Sequence, residues 1–222
     1  MRAIRKGKEP RAWTEFRARP GASYSDVDAP KQELREALVR EQGGLCCYCM
    51  TRIEAKPEAM KIEHWAPQSL APSRQLDYAN LLGACLGGQL PPGKGRQALP
   101  RHLHCDSAKG DTPIGINPAE PGQDCTERFV YVSSGEIKAS GDDPRVGRDI
   151  DVLALNHLRG RAGRREVILE AKRQVVARGK PSRELLLSMA SRLEQVDARG
   201  NLQIYCQAAI FWLRRQARKR EH

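Results

Sequence analysis

Leu34, Ala37 and Leu38 fall at i, i+3 and i+4 within residues 31–42, and Gly43-Gly44 follows, so the spacing predicts an amphipathic helix ended by glycine. Stretches 61–65 and 80–85 are short, largely apolar and bounded by turn residues, and predict strands. Residues 128–138 predict a hairpin about Ser133-Ser134-Gly135. Beyond it the period is helical: 149–155 leads to 164–177, Ser182 caps 183–197, and Asn201 opens 202–219. The middle one of these aligns Leu186, Met189, Ala190, Leu193 and Val196 on one face, the signature of core packing. Residues 1–30 show no sustained period and predict an extended basic arm, and 86–100 reads as a Gly/Pro-rich loop. No internal repeat is present. The chain divides into a basic arm (1–30), a core rich in Cys and His (31–120), and a hairpin plus helical region suited to partner docking or phosphate contact (121–222). The fold class is α+β.

Charge narrows the partners. The 222 residues carry 38 Lys and Arg against 27 Asp and Glu, a net +11, with a pI near 9.6. A hydrophobic content of 40% is enough for a core. The longest unbroken apolar stretch, 208–213, falls far short of the roughly 20 residues of a membrane span. The basic N-terminus has no apolar run of a secretory signal. A cytoplasmic protein with a polyanionic partner is expected, and no membrane. Residues 159–180 hold eight basic side chains (Arg159, Arg161, Arg164, Arg165, Lys172, Arg173, Arg178, Lys180) against Glu166 and Glu170, a second candidate for phosphate contact.

Seven cysteines, an odd number with three crowded into LCCYC, argue against a disulfide framework and for metal. Cys46 and Cys49 form a C-x2-C knuckle that can present two thiolates to one Zn2+. Cys85 follows the strand at 80–85, and Cys105 lies twenty residues on. With the Gly/Pro loop looped out, these four close a tetrahedral structural site with no position left for substrate. His102 and His104 are rivals for the fourth place; Cys85 is preferred because a cysteine ending a strand beside such a site otherwise has no task. Cys47, Cys125 and Cys206 read as small buried thiols.

Between and around these cysteines stand QGGLCCYC, IEHWAPQS, LDYANLLGAC, HCDSAKGD with INP after it, and a later LALN. In this ordered set the chain resembles the HNH (ββα-metal) endonucleases, most closely the PtuB-like HNH subunit of Septu and type I-A retron anti-phage systems. The resemblance covers about residues 31–158, with the core motifs in 42–118. It implies a small zinc-braced ββα core between an N-terminal helix and a C-terminal helical segment, and phosphodiester hydrolysis with catalytic Mg2+ or Mn2+ beside the structural Zn2+.

The resemblance also assigns roles. His64 takes the place of the first His of the motif, the general base, for which a neutral imidazole at physiological pH is suited. Asn80 matches the motif's Asn and is expected to pin the loop that carries the base. Asp106 occupies the final position, where His or Asn is usual in the family, and as an oxygen donor suits a hard cation. Glu63 corresponds to a metal-binding acid, although neighbours on a regular strand face opposite ways. Lys109, three residues after Asp106, is placed to contact a phosphate. The implied partners are nucleic acid (DNA or RNA) and an ABC/SMC-like ATPase, in some systems with a retron reverse transcriptase. The alternative is a zinc-stabilised nucleic-acid-binding or adaptor subunit that does not cleave.

Overall fold

Two antiparallel strands, β1 (Lys61–His64) and β2 (Leu81–Ala84), pair with Lys61 opposite Ala84, Glu63 opposite Leu82 and His64 opposite Leu81. The architecture around them comes from a computed structural model that describes residues 1–90 and 102–220. It is mixed α+β: among the described residues, seven helices surround two separate two-stranded sheets. Residues 91–101, most of the Gly/Pro-rich stretch, lie outside the described residues.

An N-terminal helix α1 (Arg11–Arg17) precedes α2 (Lys31–Glu41), and a single-turn α3 (Asp106–Lys109) follows β2 in chain order. The second sheet pairs β3 (Phe129–Tyr131) with β4 (Ile137–Ala139). Then come α4 (Pro144–Val152), α5 (Leu158–Val176), α6 (Arg183–Arg192) and α7 (Cys206–Arg218).

Strands of three or four residues cannot hold themselves together in water. The second sheet is anchored by Asn156, whose amide donates to the Ile137 carbonyl and accepts from the Ile137 N–H, both at 2.9 Å. Its turn needs Gly135: φ is +82°, and a Cβ there would stand 1.9 Å from the Arg161 carbonyl oxygen of α5. β2 is tied to α2 by Gln42, whose buried amide donates to the Gly83 carbonyl at 2.8 Å and accepts from the Gly83 N–H at 2.7 Å. One continuous core runs from Met1 through the cysteine-rich region to the last helix, including Leu45, Ile53, Leu82, Ile150, Ile168, Leu186, Ile210 and Leu213. The C-terminal helices are thus packed on the same core as the cysteine region.

Three expectations need correction. The arm 1–30 is folded: Trp13 and Phe16, at i and i+3 of α1, are buried in a second cluster with Leu34, Leu38, Tyr78 and Leu81, and Trp13 Nε1 donates to the Leu76 carbonyl at 3.0 Å. A helix of two turns carries too few apolar positions to show a period, so tertiary burial decides its structure. The last helix starts at Cys206, well after Asn201, because Leu202 N–H bonds the Gly43 carbonyl at 2.9 Å. Arg52 then holds Asn201 Oδ1 at 3.0 Å and the Leu202 carbonyl at 2.6 Å, so this stretch is bound to the cysteine region before α7 begins. Arg164, counted with the basic cluster, is buried and donates to the carbonyls of Gly135 (2.6 Å) and Leu155 (2.8 Å).

If the N-terminal segment is part of the core, removing its largest side chain is costly. Trp13→Ala is expected to lower unfolding free energy by roughly 3–5 kcal/mol, read by urea denaturation; an unchanged midpoint would restore the extended-arm picture.

Candidate metal centre and adjoining histidine site

The chain reverses at 46–51 through Cys46 N–H to the Thr51 carbonyl (2.9 Å) and Met50 N–H to the Cys46 carbonyl (3.1 Å). That turn points Cys46 and Cys49 at one place. Cys85 arrives from the residue after β2, and Cys105 from the residue before α3, in a left-handed conformation (φ 55°) fixed by its N–H bond to the Leu153 carbonyl at 2.8 Å. The LALN stretch thus places a cysteine.

The four sulfurs are buried and lie within 4.8 Å of one another. Cys46 to Cys105 is 3.9 Å and Cys49 to Cys85 is 3.7 Å. A tetrahedron with Zn–S bonds of about 2.3 Å has edges of about 3.8 Å. The group can therefore hold a zinc ion with little rearrangement. Burial pushes the Cys105 thiol up; burial opposes Cys46 too, but hydrogen bonds from the other three cysteines and Cys47 carry it well below its usual range. Metal ligation takes the thiolate form, so a divalent ion bound here would hold the cysteines ionised.

Of the two rivals, His104 is a neighbour of the cluster. Its Nε2 is 3.7 Å from Cys85 Sγ, its Nδ1 is 3.4 Å from the His102 carbonyl oxygen, and its ring stacks on His157 at 3.9 Å. The converging group itself consists of the four cysteines.

β1 separates two side-chain clusters, as its regular register requires. On one face, Lys61 and Glu63 meet α3. Glu63 Oε1 accepts from Tyr48 Oη at 2.7 Å and from Lys109 Nζ at 2.7 Å. Its carboxyl also shares a hydrogen bond with Asp106, whose carboxylate is paired with Lys61 at 3.0 Å. Burial, then the Asp106 hydrogen bond and charge, push Glu63 up to about 8. Burial would raise Asp106 as well, but the Glu63 hydrogen bond and the Lys61 and Lys109 charges outweigh it and hold Asp106 below its usual value. The two carboxyls share one proton near neutrality.

Lys109 corrects an expectation. Its side chain is 1% exposed, and its ammonium is held by Glu63 and by the His64 carbonyl at 2.9 Å. It is a buried counter-ion beneath β1 and is not presented to a phosphate. A four-residue helix tucked against a strand turns toward β1 the face that i, i+3 spacing gives Asp106 and Lys109 in common.

On the opposite face of β1, His64 sits among Tyr24, Gln68 and Gln75. Nε2 is 2.9 Å from the Gln75 carbonyl oxygen. The Gln68 amide nitrogen is 2.8 Å from Nε2 and 3.3 Å from Nδ1. A carbonyl only accepts and an amide nitrogen only donates, so the Gln75 contact calls for a proton on Nε2 and the Gln68 contact for a lone pair. Burial lowers the imidazole's pKa below its usual value, with the Gln75 bond and the Asp106 charge acting the other way. Asn80, fully buried, accepts from Ala66 N–H at 2.8 Å and donates to the carbonyls of Ala66 (3.1 Å) and Arg74 (3.2 Å). One amide therefore clamps both ends of the loop that follows His64. Glu63 and His64 are adjacent in sequence yet belong to different clusters.

Tyr48, Lys61, Tyr24 and Gln75 were not singled out from sequence. Tyr48 lies inside the cysteine knuckle, where its spacing gives no sign of a carboxylate partner, and the other three depend on long-range contacts. Comparison of the chain with family models and with curated proteins finds no match. Among the described residues, no helix is long and apolar enough to cross a membrane.

The Glu63–Lys109 pair yields a double-mutant test. Lys109→Met leaves a buried carboxyl without its cation and is expected to cost roughly 3–5 kcal/mol, whereas Lys109→Met with Glu63→Gln should recover most of it. Denaturant unfolding measures both. A near-neutral Lys109→Met would mean that Glu63 carries the shared proton and needs no cation.

Proposed function

We propose that this chain is a metal-dependent endonuclease of the HNH type, hydrolysing phosphodiester bonds of nucleic acid around a zinc-braced ββα core. The observation that carries the reading is the Asn80 clamp: a buried amide fixing both ends of the loop that follows a histidine held among Tyr24, Gln68 and Gln75. The hairpin β1–β2 followed by α3, with the cysteine group closing its base, supports the same reading.

The His64 imidazole is the group to take a proton from water, and the Gln75 and Gln68 contacts hold its ring in place. Asp106, with a side chain 21% exposed, is the carboxylate best placed to hold a hard cation, and Glu63 offers the oxygen that faces Asp106. Bound there, Mg2+ or Mn2+ would neutralise charge on the scissile phosphate and the leaving oxygen. The net +11 charge suits a polyanionic substrate. An anti-phage role with an ABC/SMC-like ATPase, with or without a retron reverse transcriptase, rests on the motif resemblance. A cytoplasmic site of action fits seven free cysteines.

The adaptor reading has one observation in its favour. Lys109 already balances Glu63 at 2.7 Å, where the family has a metal-binding acid.

Two variants separate the roles. His64→Ala is expected to fold, keep zinc and bind nucleic acid, yet cleave roughly two to four orders of magnitude more slowly. Cys49→Ala should lose zinc and melt early, because structural zinc binding is folding free energy. Cleavage of labelled DNA and RNA in Mg2+ and in EDTA, with melting temperature on the same preparations, measures both. A folded His64→Ala that cuts like wild type would transfer the case to the adaptor.

A further inference from the structure

We propose that Tyr24, Lys31 and Arg35 form a phosphate-binding subsite for a nucleic-acid strand beside His64, an inference that rests on the nuclease reading above. The Tyr24 ring stands edge-on to the His64 imidazole, with centroids 4.5 Å apart and planes at 86°. Lys31 Nζ lies 4.7 Å from the centre of that same ring. Arg35 is four residues further along α2, on the same helical face. Its charge acts on the Tyr24 hydroxyl, opposing the rise in pKa that burial causes. Two cations of α2 therefore flank an aromatic ring that touches the candidate base.

These groups have hydrogen-bonding capacity to spare. Arg35 Nε is buried and has no hydrogen-bond partner, and its guanidinium forms no ion pair with a described residue. The terminal nitrogens beyond Nε are not among the buried atoms, and they offer a phosphate a planar fork of donors with the opposite charge. Lys31 makes one long bond, 3.5 Å, to the Asp26 carbonyl. The Tyr24 hydroxyl, pushed up to about 12 chiefly by burial, stays protonated and can donate.

The neighbouring acids are already neutralised by other cations. Lys109 holds Glu63 at 2.7 Å, and Lys61 holds Asp106 at 3.0 Å. Other basic residues near this loop are committed: Arg74 to Asp77 at 3.3 Å, and Arg19 to Asp28 at 2.7 Å. Lys31 and Arg35 are thus left to meet a strand passing His64. They take the role that spacing had given to Lys109.

Fluorescence anisotropy with a labelled oligonucleotide, single-stranded and as a duplex, tests this over a range of salt with Ca2+ in place of Mg2+. The variants are Lys31→Gln/Arg35→Gln and, removing the same charge from exposed positions outside the 159–180 cluster, Lys138→Gln/Arg199→Gln. The first should bind roughly tenfold more weakly than the second, and its slope of log Kd on log salt should fall by about 1.4–1.8, two phosphates' worth. Equal losses in both, or a wild-type affinity in the first, would overturn the subsite while leaving the nuclease reading intact. A wild-type protein that binds neither oligonucleotide would overturn both. Should the double variant melt early, Arg35→Lys decides: loss of the planar fork with charge kept should cost several-fold in affinity at an unchanged slope, and wild-type affinity would overturn the proposal.

Discussion

Four thiol sulfurs converging within 4.8 Å join three segments that no shared sheet connects: the turn at 46–51, the end of β2 and the start of α3. The strands between them are four residues long, too short to position side chains unaided. Cross-linking through a metal would convert these pieces into one rigid unit, and the placement of the candidate residues follows from the group in order. Cys105 sets where α3 begins, which places Asp106 and Lys109. Cys85 fixes the end of β2, and β2 fixes the register of β1 with its Glu63 and His64. The helical C-terminal third contributes as well, through the Leu153 carbonyl bond to Cys105 N–H and the Arg52 bonds to 201–202.

Charge balance is the second constraint. Glu63 is 2% exposed and would be costly as an isolated anion. It is answered by the Tyr48 hydroxyl, the Lys109 ammonium and a proton shared with Asp106. On the opposite face, burial favours the uncharged imidazole of His64. One strand thus presents two polar clusters from residues that alternate along it.

Much of this was legible because the signals were local. Helix α2, strands β1 and β2 and the β3–β4 hairpin follow from spacing and from turn residues that act within a few positions. The four cysteines follow from ligand chemistry, and preferring Cys85 over His102 and His104 matches the group that converges. The rest is decided over longer distances. Trp13 and Phe16 form a helix because a cluster built by α2 and β2 receives them. Lys109 is buried because a single-turn helix lies against β1, and Arg164 is buried because a hairpin turn crosses α5. Tyr24 and Gln75 come to His64 from segments forty residues before it and eleven after it, which no periodicity reports.

X-ray absorption at the zinc edge, on protein purified without added metal, tests the account at its centre. It predicts one zinc per chain with four sulfur neighbours at about 2.3 Å. A folded protein that carries no stoichiometric metal, or a shell in which nitrogen or oxygen replaces a sulfur, would contradict it.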